Sequence, residues 1–181
     1  MNKKISFSIS FAAIWILFRI ILHTIDFGSQ IKLGFFVNIL FIITLMMVTL
    51  HFKIKEEKKL EPFLVNFKNS LKNAGMYIII VVGFIFIYHQ FVNPDYLRNY
   101  HEQRMKVEYK KTENFEELKK NTPGIRQYKT KEKYLENAEN VSKIFTSKKL
   151  IITLYFGGLF MMSLIFSVLI PLFYKKLVLR M

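Results

Sequence analysis

Apolar residues in this chain do not alternate with polar ones at the periods that mark half-buried strands and helices. They gather into four blocks, at about 5–25, 33–52, 74–92 and 150–174, and nearly all charges fall between the blocks. A helix that crosses a bilayer needs about 20 mostly apolar residues, each rising about 1.5 Å. All four blocks have that length. Inside hydrocarbon every backbone N–H and C=O must find its partner within the protein, and a helix does this within one segment. The pattern therefore predicts an all-α membrane protein with four transmembrane helices, forming a single integral membrane domain over residues 1–181.

The connectors set the expected orientation. Lys3 and Lys4 precede the first block, and Lys53, Lys55, Lys58, Lys59, Lys68 and Lys72 fill the second connector. Lys175, Lys176 and Arg180 follow the last block, whereas residues 26–32 carry only Lys32. Basic residues in short loops stay on the cytoplasmic side. Both termini are thus expected to be cytoplasmic, with residues 93–149 outside. That long segment is itself rich in Lys and Arg, but segments of its length steer orientation weakly. The first block follows a basic start, as a secretory signal would. It runs on to Ile25 with no small-x-small cleavage site, so it reads as a retained span.

Two connectors carry structure of their own. Leu60, Phe63, Leu64, Phe67 and Leu71 recur at helical spacing, with Lys68, Asn69 and Lys72 between them. They predict an amphipathic helix over about 60–72, lying on the inner membrane surface and leading into span three, with Pro62 in its first turn. The alternative is that span three simply begins early. The outer loop, 93–149, is too long to be a structureless connection. Asn93 and Pro94 resemble a helix start for about 94–111, Asn114 and Glu117 a capping box for a short second helix, and 121–124 a break. A third helix is expected over 130–145. Its sparse apolar residues predict a helical arm or cap resting on the membrane surface rather than a core.

Polar residues within the spans are the candidates for chemistry. Arg19 lies inside the first apolar block, where a charge costs a few kcal/mol. His23 and Asp26 follow at spacings of 4 and 3, on the same helix face. With the expected orientation, Asn38, His89, Gln90 and Tyr155 reach the same outer depth, together with Tyr88 and Thr153. The seven residues Arg19, His23, Asp26, Asn38, His89, Gln90 and Tyr155 are the predicted polar layer, a small cavity open to the outside. The plainer account has Arg19 snorkelling to the headgroups or pairing with Asp26. In span four, Gly157, Gly158, Ser163 and Ser167 are predicted to let helices approach closely. They serve packing among the four spans, or alternatively a homodimer contact.

Composition narrows the function classes. The chain has 181 residues, 52% of them hydrophobic, with 19 Phe and a net charge of +14. The charge is expected to meet anionic lipid, not nucleic acid, because no nucleic-acid-binding motif accompanies it. With no Cys there is no thiolate chemistry and no Cys-ligated metal. The four His are not at ligand spacing, so neither a metal nor a cofactor is expected.

Three stretches carry a family resemblance: residues 63–75, then Asn93-Pro94-Asp95-Tyr96-Leu97, and the closing span with Gly157-Gly158, Ser163-Leu164-Ile165 and Lys175-Lys176. With the order of spans they make the chain similar to domain-of-unknown-function family 4199, a membrane family common in Bacteroidota. The resemblance implies a four-span protein of the bacterial inner membrane and supplies no reaction, cofactor or catalytic residue. The chain has fewer small residues in spans one to three than that family often has.

Three function classes follow. The first is a non-catalytic membrane subunit or accessory protein that binds an envelope protein through its outer helices and spans; this fits the missing catalytic motif. The second is a small transporter or lipid-handling protein that uses the layer around Arg19. The third is a membrane enzyme with His23, His89 or Asp26 as acid or base. Apart from the bilayer, the expected partner is another envelope membrane protein, with a second copy of the chain as the alternative.

Overall fold

A computed structural model of the chain describes residues 3–25, 30–57 and 61–178. Among the described residues seven α-helices follow one another: α1 (Lys3–Thr24), α2 (Gln30–Glu57), α3 (Phe63–Ile87), α4 (Tyr96–Lys111), α5 (Phe115–Asn121), α6 (Lys131–Phe145) and α7 (Lys148–Val178). No strand occurs among the described residues. Among the described residues four helical stretches are long and apolar enough to cross a membrane: Ser6–Thr24, Leu33–Glu57, Phe63–Val92 and Lys148–Lys176. They answer to the four blocks in the sequence.

The third span differs from expectation. The predicted surface helix over 60–72 and the span are one unbroken helix, α3, that starts at Phe63. The Pro62 carbonyl accepts from the amides of Val65 and Asn66, so Pro62 stands just outside the first turn. Leu60, the first residue of the expected apolar face, lies outside the described residues. On that face Phe63 and Leu64 are exposed, while Asn66, Ser70 and Asn73 are buried. The stripe of Asn66, Ser70 and Asn73 turns inward, while Phe63 and Leu64 face outward beside exposed Lys68 and Lys72. In water this would be inside out. In a bilayer it is the stable sense, because lipid solvates Leu and Phe and leaves amides to find partners between helices.

The chain divides into two compact units, Met1–Ile85 with Leu154–Met181, and Phe86–Thr153. In the first, α1 buries one ridge: Ser8, Ala12, Trp15, Arg19 and Leu22. Its opposite side exposes Ile14, Leu17 and Ile21. The Ser8 hydroxyl donates to the Asn73 carbonyl at 3.0 Å, tying α1 to α3. Trp15 packs edge-on against Phe84, with ring centroids 6.0 Å apart. Along α7 the buried ridge is Tyr155, Leu159, Ser163, Ser167 and Ile170. Ser163 and Ser167 are fully covered, and the Ser167 hydroxyl meets the Met46 sulfur at 4.0 Å. Near the 57–63 connector, Lys53 is buried and forms an ion pair with Glu61. That lysine is part of the packing rather than a free loop charge.

The second unit opens with a π turn, Tyr88–Val92, closed by the Asn93 amide donating to the Tyr88 carbonyl at 2.8 Å. The helices α4, α5 and α6 match the expected ones to within about two residues at each end, the usual looseness of such readings. Their caps differ. Asn93 does not cap α4: Asp95 holds the cap position without a side-chain bond and pairs instead with Arg98 at 3.1 Å. Asn114 spends its amide on the Glu117 carboxylate at 3.0 Å, not on the backbone. Thr130 does cap α6, accepting from the Lys133 amide at 3.4 Å. The sparse apolar residues build a small core after all. Leu97, Met105, Phe115 and Ile125 are buried, and the Tyr134 ring lies 6.0 Å from Phe115 and 5.4 Å from Tyr128.

Candidate functional site

The site begins at a glycine. Gly34 is buried on α2, where an added Cβ would stand 3.3 Å from the Tyr155 hydroxyl oxygen and 3.5 Å from Arg19 Nη1. The guanidinium of α1 and the phenol of α7 thus both press on the α2 backbone at the one position with no side chain in the way. A turn later, Asn38 is fully buried. Its Nδ2 donates back to the Gly34 carbonyl at 2.8 Å, and its Oδ1 accepts from the Tyr77 hydroxyl of α3 at 2.6 Å. Arg19, Asn38, Tyr77 and Tyr155 therefore bring one polar group from each of the four spans around Gly34.

Packing holds this set in place. Phe35 meets Tyr155 edge-on at 5.6 Å, and its other end rests on Gly158. A Cβ on Gly158 would lie 2.9 Å from Phe35 Cζ, closer than carbon atoms pack. A Cβ on Gly157 would meet nothing within 4 Å, so of the paired glycines only Gly158 makes a close approach.

Of the predicted layer, the structure brings together Arg19, Asn38 and Tyr155. Arg19 is 4% exposed, so it sits between helices and does not snorkel outward. His23, on the next turn of α1, is half-buried, and Asp26 lies outside the described residues. His89 and Gln90 belong to the second unit. There His89 is buried beside the Tyr88 and Tyr96 rings, at 5.2 and 5.8 Å, and Lys148 donates to the Gln90 side chain at 2.9 Å.

Sequence reasoning missed Gly34, Tyr77, Ser8 and the buried face of α3. A signal existed: Asn66, Ser70, Asn73 and Tyr77 recur at spacings of 4, 3 and 4, a polar ridge through an apolar segment. Nothing local marked Gly34, because its role depends on what two other helices place against it.

The second unit holds its own polar cluster. Glu108 on α4 accepts from Tyr134 on α6 at 2.8 Å and from Lys111 at 2.8 Å. Partial burial opposes the Glu108 charge. The two hydrogen bonds and the nearby charges of Lys111 and Arg104 outweigh it and hold the carboxyl below its ordinary range. Burial, followed by the bond to Glu108, pushes the Tyr134 phenol up to about 12. His101 Nδ1 and the Ser142 hydroxyl lie 2.9 Å apart, a second tie between α4 and α6. Among the described residues no group of His, Asp or Glu is arranged to hold a metal ion.

The Gly34 set is rich in hydrogen-bond donors and contains no carboxylate or thiol among its named members. It can orient helices or hold an acceptor. Among the described residues, a helical protein with four helices long and apolar enough to cross a membrane, and a buried polar set around Gly34, is the class that fold and site define. The family described as "Protein of unknown function (DUF4199)" matches residues 6–176, and the chain belongs to it. No curated protein and no solved structure matches the chain.

Proposed function

We propose that this protein is a non-catalytic subunit or accessory protein of the bacterial inner membrane. Both termini are cytoplasmic, and the unit between spans three and four binds an envelope partner. The observation that carries this reading is the apolar face at the end of α6. Val141, Ile144 and Phe145, at spacings of 3 and 1, are 38%, 59% and 53% exposed in an otherwise highly charged segment. Exposed apolar faces on polar elements mark contact surfaces. The four-helix unit supports the same reading, because Asn38 and Tyr77 spend their named hydrogen bonds on the helices of that unit.

Affinity purification in mild detergent tests it. Wild type should retain a reproducible membrane or envelope protein. A variant carrying Ile144→Asp and Phe145→Asp should lose it while keeping its helical circular dichroism. The reading fails if the variant retains the same partner, or if wild type retains none. A second reading rests on the two donors at Gly34. There Arg19 and Tyr155 hold an anionic lipid headgroup in a lipid-handling cycle. On that account Arg19→Leu abolishes activity in the cell and the α6 variant leaves it intact.

A further inference from the structure

Ile43, Met47, His51 and Lys55 recur every fourth residue on α2 and form one ridge. Its first two members line a groove of about 520 Å³, walled on the other side by Phe166, Leu169, Ile170 and Phe173 of α7. That volume is ordinary for a small-molecule site. Tyr174 reaches across to donate to the Met47 carbonyl at 3.5 Å, and Lys176 also borders the groove. Beyond Met47 the α2 ridge continues with exposed His51 and Lys55. The groove is therefore apolar along its length and basic where both helices approach their C-terminal ends.

We infer that this groove is a binding site for one anionic phospholipid, with an acyl chain between α2 and α7 and the phosphate between Lys55 and Lys176. Three observations select this occupant. From Phe166 to Lys176 the helix rises about 15 Å, half of a hydrocarbon core about 30 Å thick, which is the depth of one leaflet. The lining is aliphatic and aromatic, with no charge except at the end where a headgroup would lie. The two lysines come from different helices, so a phosphate between them adds a charged tie between α2 and α7 to the neutral one from Tyr174. A second copy fits less well. Docked about a two-fold axis along the membrane normal, it would set its own Lys55 and Lys176 against this pair. This site shares no residue with the Gly34 set or the α6 face and stands whatever becomes of either.

Native mass spectrometry of the full chain, extracted from vesicles with equal amounts of phosphatidylglycerol and phosphatidylcholine, tests the inference. Wild type should carry one phosphatidylglycerol in preference to phosphatidylcholine. Each of Lys55→Gln and Lys176→Gln should weaken that preference about fivefold, from the usual contribution of a basic residue at an anionic surface. Leu169→Trp should fill the groove and release either lipid. Lys119→Gln with Lys120→Gln, on α5, should leave the preference unchanged and so separates a site from net charge. Equal preference in wild type and both single variants overturns the inference. So does equal loss in the α5 variant, or a Leu172→Cys chain that forms a disulfide-linked dimer in the membrane in place of carrying lipid.

Discussion

At the scale of single residues, the Gly34 set rests on one short hydrogen bond between helices. Tyr77 donates to Asn38 at 2.6 Å with both side chains buried. Between membrane helices such bonds contribute about 0.6 kcal/mol on average and up to about 1.7 kcal/mol, since helices parted in lipid find other partners. Removing both members should therefore cost less than the sum of removing each. Tyr77→Phe and Asn38→Leu, singly and together, measured by unfolding in mixed micelles, are expected to show a coupling of about 1 kcal/mol. Strict additivity would mean that the two side chains merely sit side by side. The sequence pointed to Asn38 as a polar residue in a span but not to Tyr77. Tyrosine near an apolar block also suits the membrane interface, and only the third helix's rotation shows which face it occupies.

Among elements, the hairpin of α4 and α6 depends on Glu108 and Tyr134. Glu108 is held below the ordinary carboxylate range, so its contribution is present above the unfolded value and is lost as pH falls through the folded one. Tyr134 is raised, so its contribution is complete below the unfolded value near 10 and is lost as pH rises through about 12. Protection factors of the α6 amides, that is, exchange rates divided into the intrinsic rate at each pH, should thus fall at both ends of the pH range. Glu108→Gln should flatten the acidic limb, and a limb of unchanged slope would place the dependence on other carboxylates. The helices themselves were legible from sequence, because Asn121, Thr122, Pro123 and Gly124 break them strongly. The caps at Asn93 and Asn114 were misread because Asn and Asp have several ways to spend a short polar side chain. The core was missed because Phe115, Tyr128 and Tyr134 are apart in sequence and meet only when α6 folds back toward α5.

For the whole molecule, length and apolarity made the four spans plain, since a bilayer demands both. The direction of insertion follows from lysine placement alone and is open to direct test. Lys55→Cys and Gln103→Cys should react with an impermeant maleimide from opposite faces of sealed vesicles. Labelling from the same face would discard the proposed layout. Lys53 complicates the count, because its ion pair with Glu61 removes it from the charges that face lipid. The separation into surface helix and span three failed for a related reason. A loop's charge pattern and a span's inward polar ridge look alike until the helix is seen to continue through Phe63–Ile87.

The inward turn of polar side chains on α1 and α3 has a thermal consequence. When spans come apart within lipid, little apolar surface passes into water, so the heat capacity of that step should stay near zero. Cohesion of the four-helix unit should then vary almost linearly with temperature and show no weakening in the cold. The second unit, which buries Leu97, Met105, Phe115 and Ile125, should follow the curved profile of soluble domains.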